Sequence, residues 1–190
     1  MDSLKERILR DGRALNEDVL LVDSFLNHQV DPSLMADIGE EFARLVKDMG
    51  ITRVVTIESS GIAPAQMTAL KLGVPMVILK KSASRTLTEG IAQTEVFSFT
   101  KNAAYQLTLK TRFIKPGDRV LLIDDFLANG EAAMGASRLI EGQGAQVTAI
   151  GIVIEKSFQP GRRMLEDKGY TVLSLARVAA MSEGHVEFID

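Results

Sequence analysis

Two adjacent carboxylates, Asp124 and Asp125, follow the apolar run Val120-Leu121-Leu122-Ile123, and Phe126-Leu127-Ala128-Asn129-Gly130-Glu131-Ala132-Ala133 comes directly after them. Acidic neighbours at the end of a buried strand repel each other and lose hydration, so hydroxyls, a cation or water must meet them. A sugar diol fills that role. The small residues that follow lead into a helix, where backbone N–H groups and the helix dipole favour an anion. Diol and anion sites this close together suit one ribose phosphate. The plainer reading makes both aspartates solvated caps of an ordinary strand-to-helix turn.

Ligands of open α/β sheets bind beyond the carboxyl ends of the strands, and three more such ends carry chemistry. Glu58-Ser59-Ser60-Gly61-Ile62-Ala63-Pro64 offers small residues and amides at a second helix start, suited to a second anion, although such a turn can equally be a simple cap. Lys80 and Lys81 follow the next strand and can neutralise an anionic group, or one of them is a solvated charge. Glu155-Lys156-Ser157-Phe158-Gln159-Pro160-Gly161 sends a lysine out of a buried strand. Its ammonium can donate to an oxygen and a neighbouring ring nitrogen, the edge that a 6-oxopurine presents, whereas adenine would set donor against donor. Phe158 offers a face for stacking a base, or belongs to the core. His28 and His185 lie near opposite ends of the chain, and no acidic or histidine spacing marks a protein metal site.

The elements that must position these ends alternate. A short helix ends near Gly12, a strand covers 19–22, and Pro32 to Met49 is helical by its apolar spacing, with Asp31 as N-cap and Gly50 as stop. Arg53 to Ile57 reads as a strand and Ala63 to Leu72 as a helix stopped by Gly73. Pro75 to Leu79 reads as a strand buried on both faces. The polar, period-free stretch 80–93 reads as a mobile loop over the site. Val96 to Thr100 and Tyr105 to Lys110 form an antiparallel hairpin. Arg119 to Ile123 is a strand, with a turn through Asn129 and a helix from about Gly130 to Gly142. Val147 to Ile154 is a strand, Gly161 to Lys168 a helix, and Tyr170 to Val178 and Val186 to Ile189 are strands. Wholly apolar strands alternating with helices predict an α/β fold, with a mostly parallel sheet covered on both faces.

Composition sets bounds. The 190 residues, 46% hydrophobic, suffice for one domain around one core, and no compositional break divides them. Twenty-two basic against 25 acidic residues give a net charge of −3, which argues against nucleic acid as partner. The absence of cysteine excludes disulfides, a thiol nucleophile and a thiolate metal site, and fits a cytoplasmic protein. The first ten residues lack the apolar core of a signal peptide, and no apolar run reaches the roughly 20 residues of a membrane span, so no membrane association is expected.

The stretch from Val120 to Ala133 resembles the phosphoribosyl pyrophosphate (PRPP) motif of type I phosphoribosyltransferases, with Asn129 where many members carry Thr. An amide donor there replaces a hydroxyl. Across nearly its whole length the chain resembles the bacterial xanthine phosphoribosyltransferases, most specifically over Val22 to Gln29, Thr56 to Pro64 and Ile154 to Gly161. The resemblance implies a type I phosphoribosyltransferase fold spanning 1–190, with a small hood from about 1–30 and the C-terminal segment. The implied reaction joins xanthine to PRPP, giving xanthosine 5'-monophosphate and pyrophosphate in purine salvage. It implies Leu20, Asn27 and Lys156 at the base, where the residue reading adds Phe158, and PRPP held by Ala128, Asn129, Gly130, Glu131 and Ala132. Ser59, Ser60, Gly61 and Lys81 fall to pyrophosphate, and Asp124 and Asp125 to catalysis. Mg²⁺ held mainly by the substrate and a homodimer are further implications. Two rivals stand beside this expectation: an enzyme for hypoxanthine and guanine, and a non-catalytic PRPP sensor that binds nucleic acid.

Overall fold

The computed structural model describes residues 1–81, 89–98 and 103–189. Helix α1 (Asp2–Asp11) leads to two-residue strands β1 (Arg13–Ala14) and β2 (Leu20–Leu21), which pair antiparallel, and then to a π-helical turn over Asp23–Asn27. Asn16 Oδ1 accepts from the N–H groups of Asp18 and Val19, both at 2.8 Å, and so closes the connection between β1 and β2. The strand expected over 19–22 is therefore present but shorter.

Helix α2 (Pro32–Leu45) starts as its sequence requires: Asp31 caps it by accepting from Ser33 N–H and Leu34 N–H at 3.0 and 3.2 Å, with Pro32 in the first turn. It ends four residues before Met49, because Val46 leaves helical geometry at φ −107°, ψ 9° and a turn follows. Strand β3 (Arg53–Ile57), helix α3 (Ile62–Leu72) and strand β4 (Met76–Leu79) come next, with left-handed Gly73 (φ 67°) ending α3. Hairpin strands β5 (Ile91–Ser98) and β6 (Ala103–Lys110) pair antiparallel from Ile91 opposite Lys110 to Ser98 opposite Ala103. The predicted loop thus gives way to strand at Ile91, where the partner strand supplies a ladder that polar residues join without an apolar period. The rest of the predicted mobile loop falls mostly on 82–88, outside the described residues.

The C-terminal half alternates strand β7 (Arg119–Leu127), helix α4 (Glu131–Glu141), strand β8 (Gln146–Lys156), helix α5 (Gly161–Glu166), and strands β9 (Val172–Ser182) and β10 (His185–Phe188). One six-stranded sheet runs β10-β9-β8-β7-β3-β4, parallel throughout except for β10. The expectation of a mostly parallel sheet holds. Strand β4 is its outer edge, so Met76 and Ile78 are only partly buried and the expectation of burial on both faces fails there.

Successive side chains of a strand point to opposite faces, and the core divides accordingly. Leu121 and Ile123 of β7 join a cluster with Leu4, Ile38, Phe42 and Ala65 from α1, α2 and α3. Val120 and Leu122 join the opposite cluster with Ala136 and Ile140 of α4, Leu165 of α5, and Val96 and Leu107 of the hairpin. Both faces are covered. Among the described residues no helix is long and apolar enough to cross a membrane.

Candidate active site

Parallel pairing brings the carboxyl ends of β4, β3, β7 and β8 to one edge in that order. Lys80 and Lys81, the Glu58–Gly61 turn, the acidic pair with its loop, and Lys156 therefore lie side by side, although Glu58 and Lys156 are 98 positions apart in sequence. Sequence alone stops β7 at Ile123 and β8 at Ile154. Both strands run further: Asp124 opposes Ile152, Phe126 opposes Ile154, and Leu127 opposes Glu155. Each extends because the other does, so Asp124, Asp125, Glu155 and Lys156 stand on rigid strand rather than on loop.

Beyond β7 the chain turns through Ala128, Asn129 and Gly130 into α4, and the first helical bond runs from Met134 N–H to the Gly130 carbonyl at 2.9 Å. The amides of the first turn have no acceptor within the helix, as an anion site requires. Gly130 is left-handed at φ 87°, and a Cβ there would meet Met164 Cε at 2.7 Å. Gly161 N–H donates to the Ala128 carbonyl at 2.9 Å, binding this loop to the start of α5.

A cavity of about 170 Å³ is lined by this loop together with Asp124, Phe126, Tyr105 and Lys81. All five residues from Ala128 to Ala132 line it. Burial first, and then the neighbouring Asp125 carboxylate, push the Asp124 carboxyl well above its ordinary range. Asp125 N–H donates to Asp124 Oδ1 at 3.1 Å, and Asp125 itself does not line the cavity. Lys81 Nζ lies 5.7 Å from the centre of the Tyr105 ring, while Lys80 Nζ pairs with Glu58 Oε2 at 3.0 Å. Of the two lysines, Lys81 is the one on the cavity. Ser59 is exposed, Ser60 partly buried and Gly61 buried; none of the three lines it. They stand beside β7 through the pairing of Thr56 with Ile123.

A second cavity, of about 580 Å³, opens between the end of β8 and the β1–β2 hood. Leu20, Lys156 and Gln159 line it, and it shares Phe126, Ala128 and Asn129 with the first. The two cavities therefore abut. Lys156 Nζ donates to the Asp18 carbonyl at 2.5 Å and lies 5.6 Å from the centre of the Phe126 ring. Partial burial lowers its pKa, and the nearby Asp18 charge opposes that shift.

Two residues expected at the base from sequence do not line either cavity. Phe158 is 42% exposed on the turn after β8 and off the cavity; Phe126 supplies the aromatic wall in its place. Phe126 was legible only by carrying the strand's period of two past Asp124. Asn27 ends the π-helical turn, exposed, and lines neither cavity. Tyr105 carried no sequence signal, since only the packing of the hairpin brings it in.

Beneath Lys156, Glu155 is a buried carboxylate, 1% exposed. Arg162 donates to it at 2.6 to 3.0 Å, Ser157 and Ser174 hydroxyls at 2.6 and 2.5 Å, and Arg177 at 3.3 Å. Burial alone would raise its pKa, but these donors and charges hold it at about 2. The network joins β8, α5 and β9 and fixes the strand end from which Lys156 projects.

The phosphoribosyl transferase domain model matches residues 30–188. Xanthine phosphoribosyltransferase 1 of Clostridium botulinum, strain Hall, is 60% identical over 189 residues, covering 100% of both chains. The xanthine phosphoribosyltransferase of Streptococcus gordonii is 56% identical, covering 99% of this chain and 97% of its own. Among solved structures, the adenine phosphoribosyltransferase of Giardia lamblia complexed with 9-deazaadenine superposes with a TM-score of 0.78 at 24% identity, over 92% of this chain and 97% of that one. That of Thermoanaerobacter pseudethanolicus gives 0.76 at 21%, over 92% and 99%. With its sheet, its strand-end loop and these relatives taken together, the chain belongs to the phosphoribosyltransferase family.

Proposed function

We propose that the protein joins xanthine to PRPP, releasing pyrophosphate and forming xanthosine 5'-monophosphate. The observation that carries this reading is the pair of abutting cavities: a helix-start loop beside the half-buried Asp124 carboxyl, and a lysine-bearing chamber under the hood. A ribose 5-phosphate spans the first and a purine the second, so the bond between C1 of the ribose and the base forms where they meet, near Phe126 and Ala128. Xanthine rather than another purine follows from the full-length relatives that carry that name. The adenine enzymes among the solved structures share the fold only, and an ammonium at Lys156 opposes a 6-amino group.

As the C1–O bond to pyrophosphate breaks, positive charge grows on the ribose and negative charge on the leaving group. Asp124, with Asp125 beside it, offsets the first; Lys81 and the Ser59-Ser60-Gly61 amides offset the second. The first-turn amides of α4 with Ala128 to Ala132 hold the 5'-phosphate. Among the described residues no cluster of three acidic or histidine side chains could cage a metal. Mg²⁺ needs no cage, taking one or two carboxylates plus substrate oxygens and water, so Asp124, the member of the acidic pair on the cavity, fits it. Bound there with PRPP, the ion supplies neutralisation of pyrophosphate charge.

Residues 1–190 are read as one domain, the hood made by the N-terminal segment with the C-terminal strand, and the protein as a cytoplasmic homodimer. Chromatographic identification of the product tests the reaction: PRPP, Mg²⁺ and xanthine should give xanthosine 5'-monophosphate and pyrophosphate in equal amounts. Free ribose 5-phosphate in its place would refute transfer.

A further inference from the structure

Gln159 lines the chamber under the hood, and its side-chain Oε1 is buried without a hydrogen-bond partner among the described residues. A buried acceptor left unpaired costs about 1–3 kcal/mol, and native structures hold few of them without a purpose. The other end of the same amide is occupied: Nε2 donates to Asp18 Oδ1 at 3.3 Å. Turning the amide over would set its oxygen against a carboxylate oxygen, two acceptors face to face, so Asp18 fixes which end is the acceptor. Three residues earlier, Lys156 is a pure donor on the same chamber, its ammonium held by the Asp18 carbonyl at 2.5 Å with further N–H bonds to give. Asp18 thus orients both side chains, one through its carbonyl and one through its carboxylate.

We infer that Gln159 is a second reader of the base, its oriented carbonyl accepting the ring N–H that adjoins the 6-oxo group while Lys156 donates to that oxo group. A donor beside an acceptor is the complement of a lactam, C=O beside N–H. Adenine presents the opposite pattern at both positions, an amine and a bare ring nitrogen, so the pair would reject it twice. The inference rests on the base chamber proposed above.

The test compares Gln159→Met, which keeps length and removes the acceptor, with Lys156→Met, each assayed for kcat and for KM of xanthine and of PRPP. Loss of one such bond predicts a fall in kcat/KM for xanthine of about 5- to 150-fold in Gln159→Met. The KM for PRPP should stay within about twofold, and the melting temperature should not fall, because an unpaired buried oxygen has been removed. A purely structural glutamine would give the reverse: a lower melting temperature and equal losses for both substrates. Asp18→Asn, on the exposed hood, is the second variant: with the amide free to flip, kcat/KM for xanthine should fall by a smaller factor than in Gln159→Met. If Lys156→Met loses xanthine turnover while Gln159→Met and Asp18→Asn stay within twofold of the parent, the role of Gln159 is wrong and the chamber stands. If all three stay within twofold, the chamber is not the base site and both readings fall.

Discussion

Asp124 shows at residue scale how function costs stability. Its carboxyl sits well above the ordinary range because it is buried beside Asp125, so the folded protein holds its proton to higher pH than the unfolded chain does. Stability from this residue therefore falls as pH rises from the ordinary aspartate value through the raised one. Asp124→Asn should melt higher at pH 7, by about 2–4 °C for each kcal/mol relieved, with the gain vanishing below about pH 4. The same variant should lose on the order of 100-fold or more in kcat, as removal of a charge aimed at a transition state does. Calorimetry and steady-state kinetics on one preparation check both halves; an unchanged kcat would remove Asp124 from the mechanism. Asn27 tests a different point. It lies on the exposed end of the π-helical turn and lines neither cavity, while the family resemblance implies a base contact there; we propose that it reads the purine 2-position, a carbonyl in xanthine and an amine in guanine. Asn27→Asp leaves only an acceptor there, so the xanthine-to-guanine ratio of kcat/KM should fall by about 5- to 150-fold. A ratio within about twofold of the parent's would assign the 2-position to another residue.

At the scale of elements, the site depends on how the β5–β6 hairpin seats on α4 and on what anchors the end of β8. Gly135 faces the hairpin so closely that a Cβ would collide with Val96 Cγ2, and Arg138 ties the same helix to Thr94 Oγ1 at 3.3 Å and to the Glu95 carbonyl at 3.2 Å. Gly135→Ala should cost about 1–3 kcal/mol of stability and raise the KM for PRPP, because the shifted hairpin carries Tyr105 away from Lys81. Gly39→Ala is the control: its Cβ would press on Met67 and on the Thr68 nitrogen at 2.6–2.8 Å between α2 and α3, so stability should fall with the KM for PRPP unchanged. Equal KM values in the two variants would detach the hairpin from PRPP binding. At β8, the Glu155 pKa drops from 4.5 to about 2 on folding, worth about 3 kcal/mol of stability. That contribution is whole above about pH 4.5 and disappears as pH falls through about 2. Glu155→Gln should therefore melt about 6–12 °C lower at pH 7, the gap closing as the parent is acidified. Identical melting at neutral pH would show that Arg162 and Arg177 gain nothing from the carboxylate.

Viewed as a whole molecule, the chain places its chemistry by sheet order, and that is where reading the sequence both succeeds and stops. Elements with a strong period or cap are legible: α2 from Asp31-Pro32, β3 from its β-branched run, the turn into α4 from small residues after an acidic pair. Strand ends are not. Asp124, Asp125, Glu155 and Lys156 look like loop residues alone and are strand because β7 and β8 extend each other. The edge position of β4, the burial of Glu155 and the arrival of Tyr105 are likewise consequences of tertiary pairing that no local pattern encodes. The acidic pair and Lys156 are legible because charges leaving apolar runs stand out; Phe126 and Gln159 are not, because an aromatic and an amide do not stand out there. The central claim, one site that couples a 6-oxopurine to PRPP, is tested most directly by base-dependent pyrophosphate release. With PRPP and Mg²⁺ present, xanthine, guanine, hypoxanthine and adenine should be compared by kcat/KM. Xanthine should give the highest value and adenine none above background, whereas release equal for all bases, or greatest with adenine, would contradict the account.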